Sequence, residues 1–386
     1  MNRNAIVLFT SAVIVLVIFV PIGLGQQQTA KPSPFLPLQV STVPSNGDTT
    51  PYGLAFVPDG FPDSDLISTG TLLVSNFNSS STPGQGTTII IVNPNSGKTG
   101  LFFQGNFPIG FTNALTIARV GLVFGGSLPT SNGSAEPGPL DVFDRNGNLL
   151  KQLNSSELVD GPWGMALNDR GNTAQLFISN IFDTTHHFAG SITRLDVSLS
   201  PSGVAVLKAI TIASGYTSAP DAAGTVVGPA GLAYDSDKDI LYVASEGDNA
   251  IYKLKGAGHA TGNLGKGQAI YNDQTVLHGP LALIFAPNGD LITANADPTH
   301  FSPTATDPSE IIEITPGGTL VRKFSIDPNP GSAFAVDINK KGDVFDQNNQ
   351  GDQNNQGDVF GQFAYIDDFV SNCTIWKLPI NNRNED

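Results

Sequence analysis

The chain has 386 residues, of which 40% are hydrophobic and only 14% charged, a balance too apolar for a disordered chain and too sparsely charged for a long helical one. With 19 basic against 34 acidic residues the net charge is −15, which repels phosphate backbones and excludes nucleic acid as a partner. A lone cysteine, Cys373, excludes both an intrachain disulfide framework and a thiolate metal cluster, so a large apolar core must hold the fold.

At the amino terminus, Arg3 precedes an uncharged apolar run from Ala5 to Leu24, followed by Gly25 and the polar Gln26-Gln27-Gln28. Residues 1–25 therefore read as a signal peptide or, at close to the ~20 residues that span a bilayer, as a membrane anchor. Either reading exports the remainder, leaving it periplasmic, extracellular or held on the outer side of the membrane by this segment alone. Residues 26–38, with Pro32, Pro34 and Pro37, read as an extended linker. Leu38 to Val43 then alternates as a strand should.

From there to about residue 380 one phrase recurs. It stands as Pro51-Tyr52-Gly53-Leu54-Ala55, Pro162-Trp163-Gly164-Met165-Ala166, Pro229-Ala230-Gly231-Leu232-Ala233 and Pro280-Leu281-Ala282-Leu283. Weaker copies are Asn113-Ala114-Leu115 and Phe334-Ala335-Val336. Their spacing marks a repeated supersecondary unit. Each strong copy leads through a tight polar turn, such as Asn168-Asp169-Arg170-Gly171, into a second strand, such as Gln175 to Asn180, and then two more. The 42 glycines and 27 prolines, scattered between short apolar runs, suit this turn-rich plan. Four antiparallel strands per unit is a propeller blade. The expected fold is all-β, a six-bladed propeller over residues 39–380, with seven blades as the alternative count because two copies are weak. Leu38 to Val43 is expected to close the ring beside Thr374 to Leu378, and residues 381–386 form a polar tail. A tandem repeat, Asp346 to Gly351 and Asp352 to Gly357, reads as a polar loop.

The run from Gly228 to Leu254, with Gly-Pro-x-Gly-Leu-Ala, a turn, then Leu-Tyr-Val-Ala and Ile-Tyr, resembles an NHL repeat. More distantly the plan resembles the gluconolactonase and regucalcin propellers. The latter resemblance implies a metal-dependent hydrolase or lactonase, in which a Glu, an Asn and an Asp at the inner-strand starts hold a divalent cation, calcium or magnesium. Here those starts read Tyr52, Trp163, Ala230 and Leu281, so such a site would have to be rebuilt from Asn180, Glu246 and Asn295. A lyase resembling the streptogramin-opening propellers would need His278 with Glu246.

Other motifs dissolve on inspection. Ser96-Gly97-Lys98-Thr99 lacks the leading P-loop glycine, having Val92 there, and reads as a hairpin turn. Asp235, Asp237, Asp239 and Glu246 imitate a calcium loop, but Ile240 replaces its glycine and a strand separates Glu246 from the rest. His186 and His187 are adjacent, which on a strand points them to opposite faces.

In a propeller the chain enters each inner strand, and leaves each second strand, at one face. That face gathers Tyr52, Asn76, Trp163, Asn180, Asp183, His186, Glu246, Asp248, His278, Asn295 and Asp297 as candidate ligand-binding residues. The expected function is a binding or scaffold propeller for a protein, glycan or small-molecule ligand. The alternative is the metal-dependent hydrolase.

Overall fold

The computed structural model describes residues 37–80, 82–221, 225–295, 309–327, 333–339 and 360–379. The N-terminal segment, the tandem loop at 346–357, Asp297 and the polar tail lie outside them. The described chain folds as six antiparallel sheets of four strands each, a six-bladed propeller. The inner strands are Thr49–Phe56, Phe111–Ala118, Pro162–Asp169, Pro229–Asp235, Pro280–Phe285 and Ala333–Asn339. Each packs on the next, and the sixth on the first.

The ring closes as the sequence predicts. Leu38–Ser41 is the outermost strand of blade six and pairs antiparallel with Asn372–Pro379, Val40 opposite Cys373. Both of those side chains are buried. Blade six therefore joins the two ends of the chain, which removes an open sheet edge.

All six inner strands slip register at the end where the chain enters them, as between Pro51 and Gly53 or Pro162 and Gly164. In blades one, three and four the Pro-x-Gly phrase accommodates the slip. Proline has no N–H to give to a ladder and suits the first residue of a strand. Glycine then permits close approach: a Cβ on Gly164 would overlap the carbonyl of Ala230, and one on Gly231 the carbonyl of Leu281. The slip leaves a glycine N–H without a ladder partner, and a serine on the second strand takes it. Gly53 N–H donates to Ser75 Oγ at 3.1 Å and Gly164 N–H to Ser179 Oγ at 2.8 Å. Those hydroxyls donate onward to the next blade, Ser75 to Thr112 O at 3.2 Å and Ser179 to Ala230 O at 2.8 Å. Each such bond contributes about 1 kcal/mol net, and losing one would leave a buried group unsatisfied.

Blade two lacks the Pro-x-Gly phrase, and its space comes from the neighbouring strand instead. A Cβ on Gly126 would lie 2.6 Å from Ala114 Cβ and 2.8 Å from Pro162 O. This blade also carries a small inserted hairpin, Thr130–Ser131 with Ser134–Ala135.

Deleting residues 36–44 should lower the thermal midpoint and broaden the transition, because the ring would lose its closing strand. Unchanged thermal unfolding would contradict that closure.

Candidate functional site

The front face, where the chain enters the inner strands, is closed at the axis. Tyr52 stacks on Phe77 at 4.5 Å and on Phe334 at 4.1 Å, and meets Trp163 edge-on at 5.7 Å. Trp163 is 1% exposed and Tyr52 4%, while Ala230 and Leu281 complete the plug with no exposure. The two aromatic residues picked from the sequence thus meet, as a buried seal and not as the walls of an open mouth. Offset and edge-on aromatic pairs contribute ~0.5–1.5 kcal/mol each beyond their burial.

The amides picked from the same face are buried fasteners. Asn180 accepts the Asp160 N–H at 3.0 Å and donates to Thr193 Oγ1 at 3.1 Å. Asn295 accepts the His278 N–H at 2.8 Å and donates to Val276 O at 2.6 Å. Asn76 donates to Thr42 O and Thr88 Oγ1. Each pins the segment leading into an inner strand to the blade behind it. Glu246 is buried at the end of blade four's second strand, its N–H bonded to Gly228 O. His278 Nε2 faces Gln274 O within the same front-face turn. Burial would raise the Asp248 carboxyl, but bonds from Thr217, Lys266 and Ser245 outweigh it and hold the group below its ordinary range.

A divalent cation needs several oxygens converging on one point. Asn180, Glu246 and Asn295 lie within two residues of the ends of the second strands of three successive blades, and both asparagine oxygens accept backbone N–H groups. Among the described residues no group of three or more His, Cys, Asp or Glu side chains could hold a metal. The three residues do not fit a cation site. The acids of the calcium-loop look-alike are likewise engaged by protein partners: Asp235 binds Lys238 of its own turn at 2.7 Å, and Asp239 binds His259 from beyond it at 2.7 Å.

The back end of the axis holds a cavity of about 430 Å³ lined by all six inner strands. Leu54, Leu115, Met165, Leu232, Leu283 and Val336 make an apolar wall. Asn113, Thr116, Arg119, Asp169 and Asp337 supply polar groups. Arg119 is held by Asp169 at 3.2 Å, and Asp337 accepts the Phe56 N–H at 2.8 Å. Met165, Leu167 and Asp337 are partly exposed, so the cavity meets solvent at this end.

A second polar centre lies off the axis, at the seam of blades two and three. Asp160 is buried, with its side chain 5% exposed, and among the described residues its Oδ2 has no hydrogen-bond partner. His186 Nε2 stands 3.8 Å away. His186 lies in a turn between the second and third strands of blade three, with φ 64°. Asp183 makes that turn by accepting the N–H groups of Thr185 and His187. Burial pushes the Asp160 carboxyl up to about 6, His186 opposing and Asp183 adding to the rise. Burial also pushes Asp141 up to about 7, against a hydrogen bond from Gln152. The sequence reading missed both Asp160 and the back cavity. Asp160 carried a faint signal, being the acid two residues before Pro162, where the other proline-led blades have Thr49, Val227 and His278.

No family model and no curated protein matches the sequence. Among solved structures, a gluconolactonase from Xanthomonas campestris superposes with a TM-score of 0.51 at 13% identity, over 88% of this chain and 89% of that one. A calcium-binding regucalcin from Agrobacterium tumefaciens gives 0.49 at 13% identity, over 88% and 94%. What is shared is the fold. A propeller of this kind hosts unrelated activities, so the likeness assigns none.

The raised carboxyls set a pH dependence. Both are neutral more readily in the fold than in the unfolded chain. The stability they contribute is complete below the ordinary value of 3.8 and is lost as pH rises through about 6 and about 7. Wild-type stability should therefore fall, from about pH 4 to about pH 7, relative to an Asp141→Asn/Asp160→Asn double variant. Parallel stability profiles would contradict the burial of these charges.

Proposed function

We propose that the chain is an exported binding propeller that takes a small molecule in the axial cavity at its back end. The observation that carries this reading is the asymmetry of the axis. The front is sealed by Tyr52, Phe77, Trp163 and Phe334, whereas the back keeps about 430 Å³ open, within the ~300–1,000 Å³ usual for ligand pockets. The apolar wall suits an uncharged body, since Arg119 and Asp169 answer each other at the rim. Asn113 and Thr116 offer hydrogen bonds that would orient a polar head. Export rests on the uncharged run from Ala5 to Leu24.

The metal-dependent lactonase reading has less support. It needs a cation at the front mouth, where the inner strands bring Tyr52, Trp163, Ala230 and Leu281 into an apolar plug.

The test is a ligand-observed NMR screen of small neutral amphiphiles against the protein lacking its first 25 residues. Hits should compete with one another. They should lose at least tenfold in affinity, about 1.4 kcal/mol, on Leu167→Trp, which fills the cavity from a partly exposed position. Hits that bind the folded variant equally well, or no hits at all, would overturn the reading.

A further inference from the structure

The seam of blades two and three holds an arrangement that the axial cavity does not use. Asp160 forms the wall between two cavities of about 410 and 400 Å³. Its side chain is almost fully buried, yet Oδ2 has no hydrogen-bond partner among the described residues, and His186 Nε2 at 3.8 Å is too far to serve as one. Folding normally either satisfies such an oxygen or replaces the residue, because a buried carboxylate without donors is costly. Here the backbone gives no reason for an acid: the role of Asp160 N–H, donating to Asn180, is filled in blade five by His278 N–H.

The surroundings are polar and anionic. Glu136, Gln152, Asn154, Ser155 and His186 line the smaller cavity with Asp160. Asp183 lies close enough to Asp160 to raise its pKa, and itself borders the larger cavity. Three carboxylates thus surround the two chambers. An ammonium group supplies what Oδ2 lacks: a compact positive charge with three donors. Hydrogen bonds between charged partners in a desolvated pocket are the strong ones.

We propose that the Asp160 cavity binds the primary ammonium of a small polar amine, its N–H groups donating to Asp160 Oδ2 and to Glu136. The Asp183 turn holds His186 over the carboxylate as a positioning residue. The polar side chains of Gln152, Asn154 and Ser155 meet the hydroxylated remainder of the ligand. This site is separate from the axial cavity and stands without it.

The probe is D-glucosamine, with D-glucose as its twin lacking the amine and propylammonium as the bare cation. All three are titrated by calorimetry near neutral pH at up to about 10 mM, a range that detects a single charge-assisted contact. Both amines should bind and glucose should not. Asp160→Asn should remove amine binding by at least tenfold while leaving the thermal midpoint unchanged or raised, since it deletes an unsatisfied buried charge. Glu136→Gln, at an exposed position that cannot threaten folding, should weaken binding several-fold. If neither amine binds, if glucose binds as well as glucosamine, or if both variants bind like wild type, the proposal is wrong. If Asp160→Asn does not fold, the Glu136→Gln result decides alone.

Discussion

Six inner strands pack side by side around one axis, and where neighbouring strands touch near their starts the space admits little more than backbone. That crowding dictates the rest. It requires glycine where strand meets strand, as at Gly164 against the Ala230 carbonyl. It forces a register slip at each inner-strand start, and the slip strands an N–H that Ser75 or Ser179 must satisfy. Because the same hydroxyls donate to the following blade, a local repair becomes the fastening between blades. In blades one and three the Pro-x-Gly phrase and the serine on the next strand are two halves of one solution.

Crowding also decides which end of the axis can hold a ligand. At the front, large aromatic side chains rise from the inner-strand starts and fill the narrow end, with Phe77 folded over them from blade one's second strand. At the back, shorter aliphatic side chains leave a cavity. The polar groups of the front face are displaced from the axis. Most become structural pins, and Asp160, whose Oδ2 has no donor among the described residues, sits at a blade seam.

The fold was legible because its signals are local and repeated. Pro, Gly and a β-branched or aromatic strand follow in fixed order, and Leu38 to Val43 alternates visibly enough to be placed beside Thr374 before any coordinates. Blade two was faint because Gly125 and Gly126 carry on the second strand what Gly53 carries on the first. The site was legible only as a face. A row of amides at strand ends looks the same whether it binds a ligand or a backbone N–H, and only three-dimensional proximity shows that Asn180 serves residue 160 and Asn295 residue 278. The phrase puts Tyr52 and Trp163 at equivalent inner-strand starts, but sequence does not reveal that their rings meet those of Phe77 and Phe334 in a closed cluster. His186 lies between the second and third strands of blade three, where Asp183 captures two N–H groups and makes a turn, a signal already present in the Asp-x-Thr pattern.

The sealed axis can be measured directly, because the chain has two tryptophans. In a Trp376→Phe variant, the fluorescence of Trp163 reports on the plug alone. A closed front face requires blue-shifted emission and weak quenching by acrylamide, unchanged by ligands of the back cavity. Red-shifted emission with strong quenching in the folded protein would mean that the front mouth is open, and that the ligand-binding end has been assigned to the wrong face.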